Sequence, residues 1–153
     1  MIVFVNGCFD VLHRGHFELI QYAASLGDTL IVALDSDRKV SEDKGYLRPI
    51  YPLEDRVFQM MSIKGVDVVH TFDTRYELEM LLDSIRPDIL LVGSDWKGKE
   101  VVGAEYAKEV RFFDRIGSYS TTKTIQGIAY RVCLLYTSPS PRDRTRSRMP
   151  SSA

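Results

Sequence analysis

The chain has little cysteine, a single tryptophan, no long apolar run and almost no net charge, and each shortage excludes something. Cys8 and Cys133 are the only cysteines in 153 residues. That is too few for a disulfide framework and fits a reducing compartment, so the expected location is cytoplasmic. No apolar stretch approaches the roughly 18 residues that a membrane helix needs, and no span is expected. The first residues open directly on a strand pattern, with no charged leader or cleavage site, so no secretion signal is expected. Twenty basic residues stand against 21 acidic ones, a formal charge of −1. This argues against nucleic acid or an anionic membrane as a partner held by bulk electrostatics. At this length one domain with a real core is expected.

The C-terminal end changes character. From residue 137 onward the chain is Ser, Pro and Arg with almost no apolar side chain, the composition of a disordered tail. Residues 133–143 resemble a translated transposase adapter from sequencing-library preparation, and residues 145–153 a translated flow-cell adapter. The expected organisation is a domain over residues 1–131 and a non-native, disordered tail over 132–153. Without the tail's Arg142, Arg144, Arg146, Arg148 and Asp143, the balance becomes 16 basic against 20 acidic residues. The basic end is therefore not read as a nucleic-acid arm.

Strand and helix patterns alternate through the rest. Residues 2–5 read as a buried strand, 17–24 as an amphipathic helix and 29–34 as a second strand. Residues 35–50 look polar and irregular. A helix over 53–64 is entered by Pro52, with Glu54 and Asp55 in its first turn. Strands follow at 66–72, 89–92 and 110–113, with helices at 76–85, 104–108 and 121–130. Continuous Val/Ile/Leu strands separated by helices imply βαβ crossovers and a parallel sheet covered on both faces. The expected fold class is α/β, a Rossmann-like, doubly wound, parallel five-stranded sheet. Ligands in such sheets bind beyond the carboxyl ends of the strands. That edge gathers loops 7–16, 35–48, 93–99 and 114–122.

Loop 7–16 carries the most chemistry: Gly7-Cys8-Phe9-Asp10-Val11-Leu12-His13-Arg14-Gly15-His16. It joins the first strand to a helix N-terminus, where unpaired N–H groups and a positive dipole end favour phosphate. Gly15 admits close approach of a ligand to the backbone, and each imidazole can donate to a phosphate oxygen. A zinc site on His13 and His16, completed by Cys8 and Asp10, is the alternative. Ser120 and Thr121 are ordinary helix N-caps that can also offer hydroxyls to an anion. Cys8 is read as a small packing residue and not as a nucleophile.

H-x-G-H behind G-x-F-D, together with Tyr119-Ser120-Thr121-Thr122, closely resembles the signature of the cytidylyltransferase-like nucleotidyltransferases. The resemblance covers nearly all of residues 1–131. It implies catalytic roles for His13, His16, Lys44 and Arg115, the lysine on a mobile loop that contacts phosphate. It also implies nucleotide contacts from Gly7, Cys8, Phe9, Asp10, Gly15, Asp95, Trp96, Ser120, Thr121 and Thr122. Asp35, Asp37 and Arg56 are implied to lie on the acceptor side. Mg²⁺ with the NTP, a phosphorylated small-molecule acceptor and a homodimer are likewise implied, with no metal ligand named.

The nucleotide and acceptor are divided. Arg115, five residues before Ser120, and Asp95-Trp96-x-Gly98-Lys99 resemble glycerol-3-phosphate cytidylyltransferases. The first loop, Lys44-Gly45-x-x-Arg48-Pro49-Ile50 and Val101-Val102-Gly103-Ala104 resemble heptose-1-phosphate adenylyltransferase domains. The Arg115 spacing bears more directly on the nucleotide, so CTP and an acceptor such as glycerol 3-phosphate are expected. ATP with heptose 1-phosphate is the alternative, and a non-catalytic nucleotide sensor is a third.

Overall fold

The structure, a computed structural model, describes residues 1–137. Most of the expected tail, residues 138–153, lies outside the described residues. The chain divides into two compact units, Met1–Tyr119 and a second that begins at Ser120.

The first unit holds five parallel strands in the order β3-β2-β1-β4-β5. They are β1 (Ile2–Gly7), β2 (Thr29–Asp35), β3 (Val68–Phe72), β4 (Ile89–Gly93) and β5 (Glu109–Phe113). Between them run α1 (Arg14–Ser25), α2 (Asp37–Lys44), α3 (Leu53–Met61) and α4 (Arg75–Ile85), with short 3-10 turns at Ser94–Trp96 and Ala104–Tyr106. The expected α/β architecture is present. Alternation along the strands supplies two cores. Val3 and Val5 of β1 pack with Ile20 of α1 and Met60 of α3, while Phe4 packs with Leu78 and Leu82 of α4. All of these side chains are buried, which is why the strands read as continuous apolar runs.

One expected loop is a helix. Residues 37–44 form α2, although only Val40 of its side chains is buried. Local interactions build it instead. Ser36 caps it by accepting from the Lys39 N–H at 3.1 Å. Asp37 lies in its first turn and Lys44 in its last. Pairs Arg38–Glu42 and Lys39–Asp43, each at 2.7 Å, join successive turns. Apolar periodicity misses such a helix because it has almost no apolar face; the cap and the i,i+4 charges were the readable signal.

In the second unit α5 spans Thr121–Thr137. It passes the expected end at 130, and the first residues of the expected disordered tail are helical here. Val132, Leu134, Leu135 and Tyr136 are exposed on it.

The chain runs outward from β1 through β2 to β3, then returns to place β4 on the other side of β1. The reversal point between β1 and β4 is where an open sheet leaves a crevice at its carboxyl edge.

Candidate active site

The H-x-G-H turn is a capping structure before it is anything else. His13 is the N-cap of α1, and its Nδ1 accepts from the Gly15 N–H at 3.1 Å. His16, at the third helical position, returns the arrangement: its Nδ1 accepts from the His13 N–H at 3.1 Å. A neutral imidazole that accepts at Nδ1 carries its proton on Nε2. The capping box thereby fixes both tautomers and leaves both Nε2–H groups outside it. The rings stack with centroids 3.8 Å apart, and Tyr119 stacks on His13 at 6.2 Å. A Cβ on residue 15 would come within 2.9 Å of the His13 ring. Gly15 is required by that close approach, not by an unusual backbone angle. Spacing alone gave no sign that Tyr119 joins the histidine stack.

Burial depresses the basicity of both rings. His16 is lowered from 6.5 to about 4, by desolvation first, then by the charges of His13, Lys44 and Arg115. His13 is lowered by desolvation and by Arg115. Both are neutral donors at pH 7. On unfolding, His16 regains its ordinary value, so the unfolded chain takes up a proton that the folded chain refuses. Its contribution is fully present above pH 6.5 and is lost as the pH falls toward 4. Stability should fall by about 3 kcal/mol across that window. Urea denaturation from pH 7 to 4 measures it, and a His16→Asn chain should show a flatter profile.

Asp10 and Arg56, expected on ligands, are engaged by the protein itself. Asp10 is 1% exposed. Its Oδ2 accepts from the Ile50 N–H at 2.7 Å and its Oδ1 from the Tyr51 N–H at 3.0 Å. Its neighbours Phe9 and Val11 hold left-handed backbone, with φ of 50° and 51°. Each such residue costs on the order of 1–2 kcal/mol, so the turn needs outside anchorage. Arg56, also 1% exposed, donates to the carbonyls of Tyr51, Cys8 and Asp35 at 3.0, 3.0 and 2.8 Å, and to Asp37 Oδ1 at 2.7 Å. It ties the ends of β1 and β2 to α2 and to the loop before α3. Asp37 is thereby held as its partner. The acceptor-side expectation for Arg56 came from the family resemblance, with an exposed helix-surface ion pair as the other reading; burial at a junction of carbonyls is decided only by tertiary packing.

A cavity of about 650 Å³ opens at the carboxyl edge beside these anchors. Gly7 and Cys8 of the β1 end and Val92 and Gly93 of the β4 end line it, as expected of the reversal point. Asp35, Lys39, Asp43 and Lys44 also line it, as do Phe72, Arg75, Leu78, Trp96, Val101 and Val102. Burial raises the Asp35 carboxyl above its ordinary range and pushes the Cys8 thiol up, the wrong direction for a nucleophile. Lys44 belongs to the last turn of α2 instead of a free loop. Arg75 and Phe72 had no motif to reveal them; they reach the cavity only because β3 ends beside β2.

Arg115 and Asp95, two separate expectations, pair with each other at 2.9 Å, both more than half exposed. Trp96 is half exposed, with Lys99 Nζ 5.9 Å from its ring centroid. In the second unit Ser120 Oγ accepts from the Lys123 N–H at 3.0 Å, an N-cap contact for α5. Thr121 and Thr122 form the first turn of that helix. No group of three or more His, Cys, Asp or Glu suited to a metal exists among the described residues. The zinc alternative fails on that and on the engagement of both Nδ1 atoms. No described helix is long and apolar enough to cross a membrane.

A cytidylyltransferase-like family model matches residues 4–127. The chain is 47% identical over 129 residues to the bifunctional protein HldE of Sulfurimonas denitrificans, covering 83% of this chain and 26% of that one. It is 50% identical over 127 residues to HldE of Nitratiruptor sp., covering 82% and 27%. The chain thus spans about a quarter of the length of these relatives. Among solved structures it resembles a lipopolysaccharide core biosynthesis protein from Thermoplasma volcanium, at TM-score 0.58 and 25% identity over 78% of this chain and 98% of that one. A bifunctional NMN adenylyltransferase/ADP ribose pyrophosphatase from Francisella tularensis shares the fold at TM-score 0.57 and 16% identity, over 82% and 40%. With its family model matched from β1 into α5, and its H-x-G-H turn built as a donor pair at the strand edge, this chain belongs to the cytidylyltransferase-like family of nucleotidyltransferases.

Proposed function

We propose that the domain transfers an adenylyl group from ATP to a sugar 1-phosphate, with heptose 1-phosphate as the acceptor, and releases pyrophosphate. One observation carries this reading: identity of 47% and 50% to two HldE proteins over 129 and 127 residues of this chain. The long motif stretches that resemble heptose-1-phosphate adenylyltransferase domains point the same way. So does the structural likeness to a lipopolysaccharide core biosynthesis protein. The CTP and glycerol 3-phosphate expectation rested on Arg115 and Asp95-Trp96. Arg115 and Asp95 pair with each other at 2.9 Å on the surface, and the identity to the HldE proteins outweighs their spacing in favour of ATP.

In this reading a phosphate oxygen of the acceptor attacks the α-phosphorus, and the bond to pyrophosphate breaks. No covalent protein intermediate is needed; the protein aligns the reactants and stabilises charge as it develops. His13 and His16 act as neutral Nε2–H donors to the triphosphate. Lys44 neutralises phosphate charge from the cavity wall, and Ser120, Thr121 and Thr122 offer hydroxyls and helix N–H groups to the departing phosphates. Asp35, which lines the same cavity as Lys44, takes hydroxyls of the sugar. Mg²⁺ enters as the complex of ATP, consistent with the habit of this ion of binding chiefly through phosphates and water. The site works in the cytoplasm, where ATP is supplied, and a homodimer is the proposed assembly.

Pyrophosphate release by the full chain should appear with ATP and heptose 1-phosphate and stay at background with CTP and glycerol 3-phosphate. The reverse result would return specificity to Arg115 and the Asp95–Trp96 turn. Tight ATP binding without turnover on either acceptor would favour the nucleotide sensor.

A further inference from the structure

We infer that Asp10 is a positioning residue which registers Lys44 against the two histidines, with Arg48 as its counter-charge; this rests on the nucleotidyl-transfer reading above. Asp10 sits between Cys8, on the cavity wall, and His13, the cap of α1. Its two oxygens hold the N–H groups of Ile50 and Tyr51, forty and forty-one residues away. Arg48 Nε lies 3.5 Å from Asp10 Oδ2, on a side chain only 13% exposed. That Nε has no hydrogen-bond partner among the described residues, so the carboxylate charge is what answers it there.

The strap that Asp10 grips begins where α2 ends. Gly45 follows Lys44 and breaks the helix at a φ of 106°. The Gly45 carbonyl accepts from the Arg48 N–H at 3.0 Å. Ser41 Oγ of α2 donates to the Arg48 carbonyl at 2.5 Å. The strap is thus fastened at one end to the helix that presents Lys44, and at the other to the turn that presents His13 and His16. A carboxylate buried in this way is placed to fix the distance between a cation and a donor pair. With both oxygens engaged by the protein, it does not itself reach the nucleotide. Misplacement of a catalytic group by about 1 Å can cost about 10²-fold in rate, so a buckle at this point controls turnover.

The test is a cycle of Asp10→Asn and Lys44→Ala in the full chain, reading kcat, the KM for ATP and hydrogen exchange of loop 45–51. Asp10→Asn should lower kcat by about 10²-fold with little change in KM, and exchange at Ile50 and Tyr51 should accelerate. In the Lys44→Ala background the same substitution should lower kcat no further, because Asp10 acts through Lys44. Losses that multiply independently, wild-type kcat in Asp10→Asn, or unchanged exchange would each overturn the inference. If Asp10→Asn does not fold, Arg48→Gln takes its place in the same cycle. A wild-type chain inactive on every substrate pair would defeat the functional reading alone, since the exchange measurement still tests the buckle.

Discussion

Replacing His13 by Asn lowers nucleotidyl transfer by about 10²–10⁴-fold and leaves the melting temperature close to that of the wild type. The two effects separate because His13 does two things with two nitrogens. Its Nδ1 caps α1 by accepting from the Gly15 N–H, and an Asn side-chain oxygen can take over that contact. Its Nε2–H has no counterpart on the shorter amide. His13→Ala would remove the cap as well, at a further cost of about 1 kcal/mol. His16→Asn should behave alike, because His16 Nδ1 also serves a backbone N–H. Steady-state pyrophosphate release with a thermal melt measures both. Retained turnover in His13→Asn would remove the imidazole from the chemistry and leave the turn as a helix start only.

Arg56→Ala should cost about 3–5 kcal/mol of folding stability, the largest loss expected from one substitution in this domain. Its guanidinium serves three carbonyls and Asp37 while almost wholly buried. Truncation strands acceptors at the ends of β1 and β2, where water has poor access. Asp37 is half exposed and can return to solvent, so the carbonyls bear most of the cost. Arg56→Lys should recover little, since an ammonium cannot reach the same acceptors with a planar fork. Urea denaturation gives the figure. A loss below about 1 kcal/mol would mean that the junction relaxes or admits water. Because Cys8 and Asp35 carry those carbonyls and also line the cavity, activity should fall with stability.

Much of this was written locally. The strands announced themselves because a sheet covered on both faces needs continuous apolar runs, and Val3-Phe4-Val5 serves two cores at once. The H-x-G-H turn was legible because a strand, a glycine and a helix start lie adjacent in sequence. Helix α2 was less so. Its cap and ion pairs are local, yet its single buried residue leaves no period to detect.

The sequence by itself therefore determined the fold class, the family and the place where two histidines meet a helix end, all of which depend on neighbours within a few residues. The tertiary structure alone decided which charged groups are buried and engaged by the protein itself. Asp10 meets partners some forty residues away, and Arg56 meets Cys8 forty-eight residues away. Nothing in the local pattern of either segment specifies such a partner. Burial at those junctions, where a charge must be answered by hydrogen bonds, turned two expected ligand contacts into the anchors of the site.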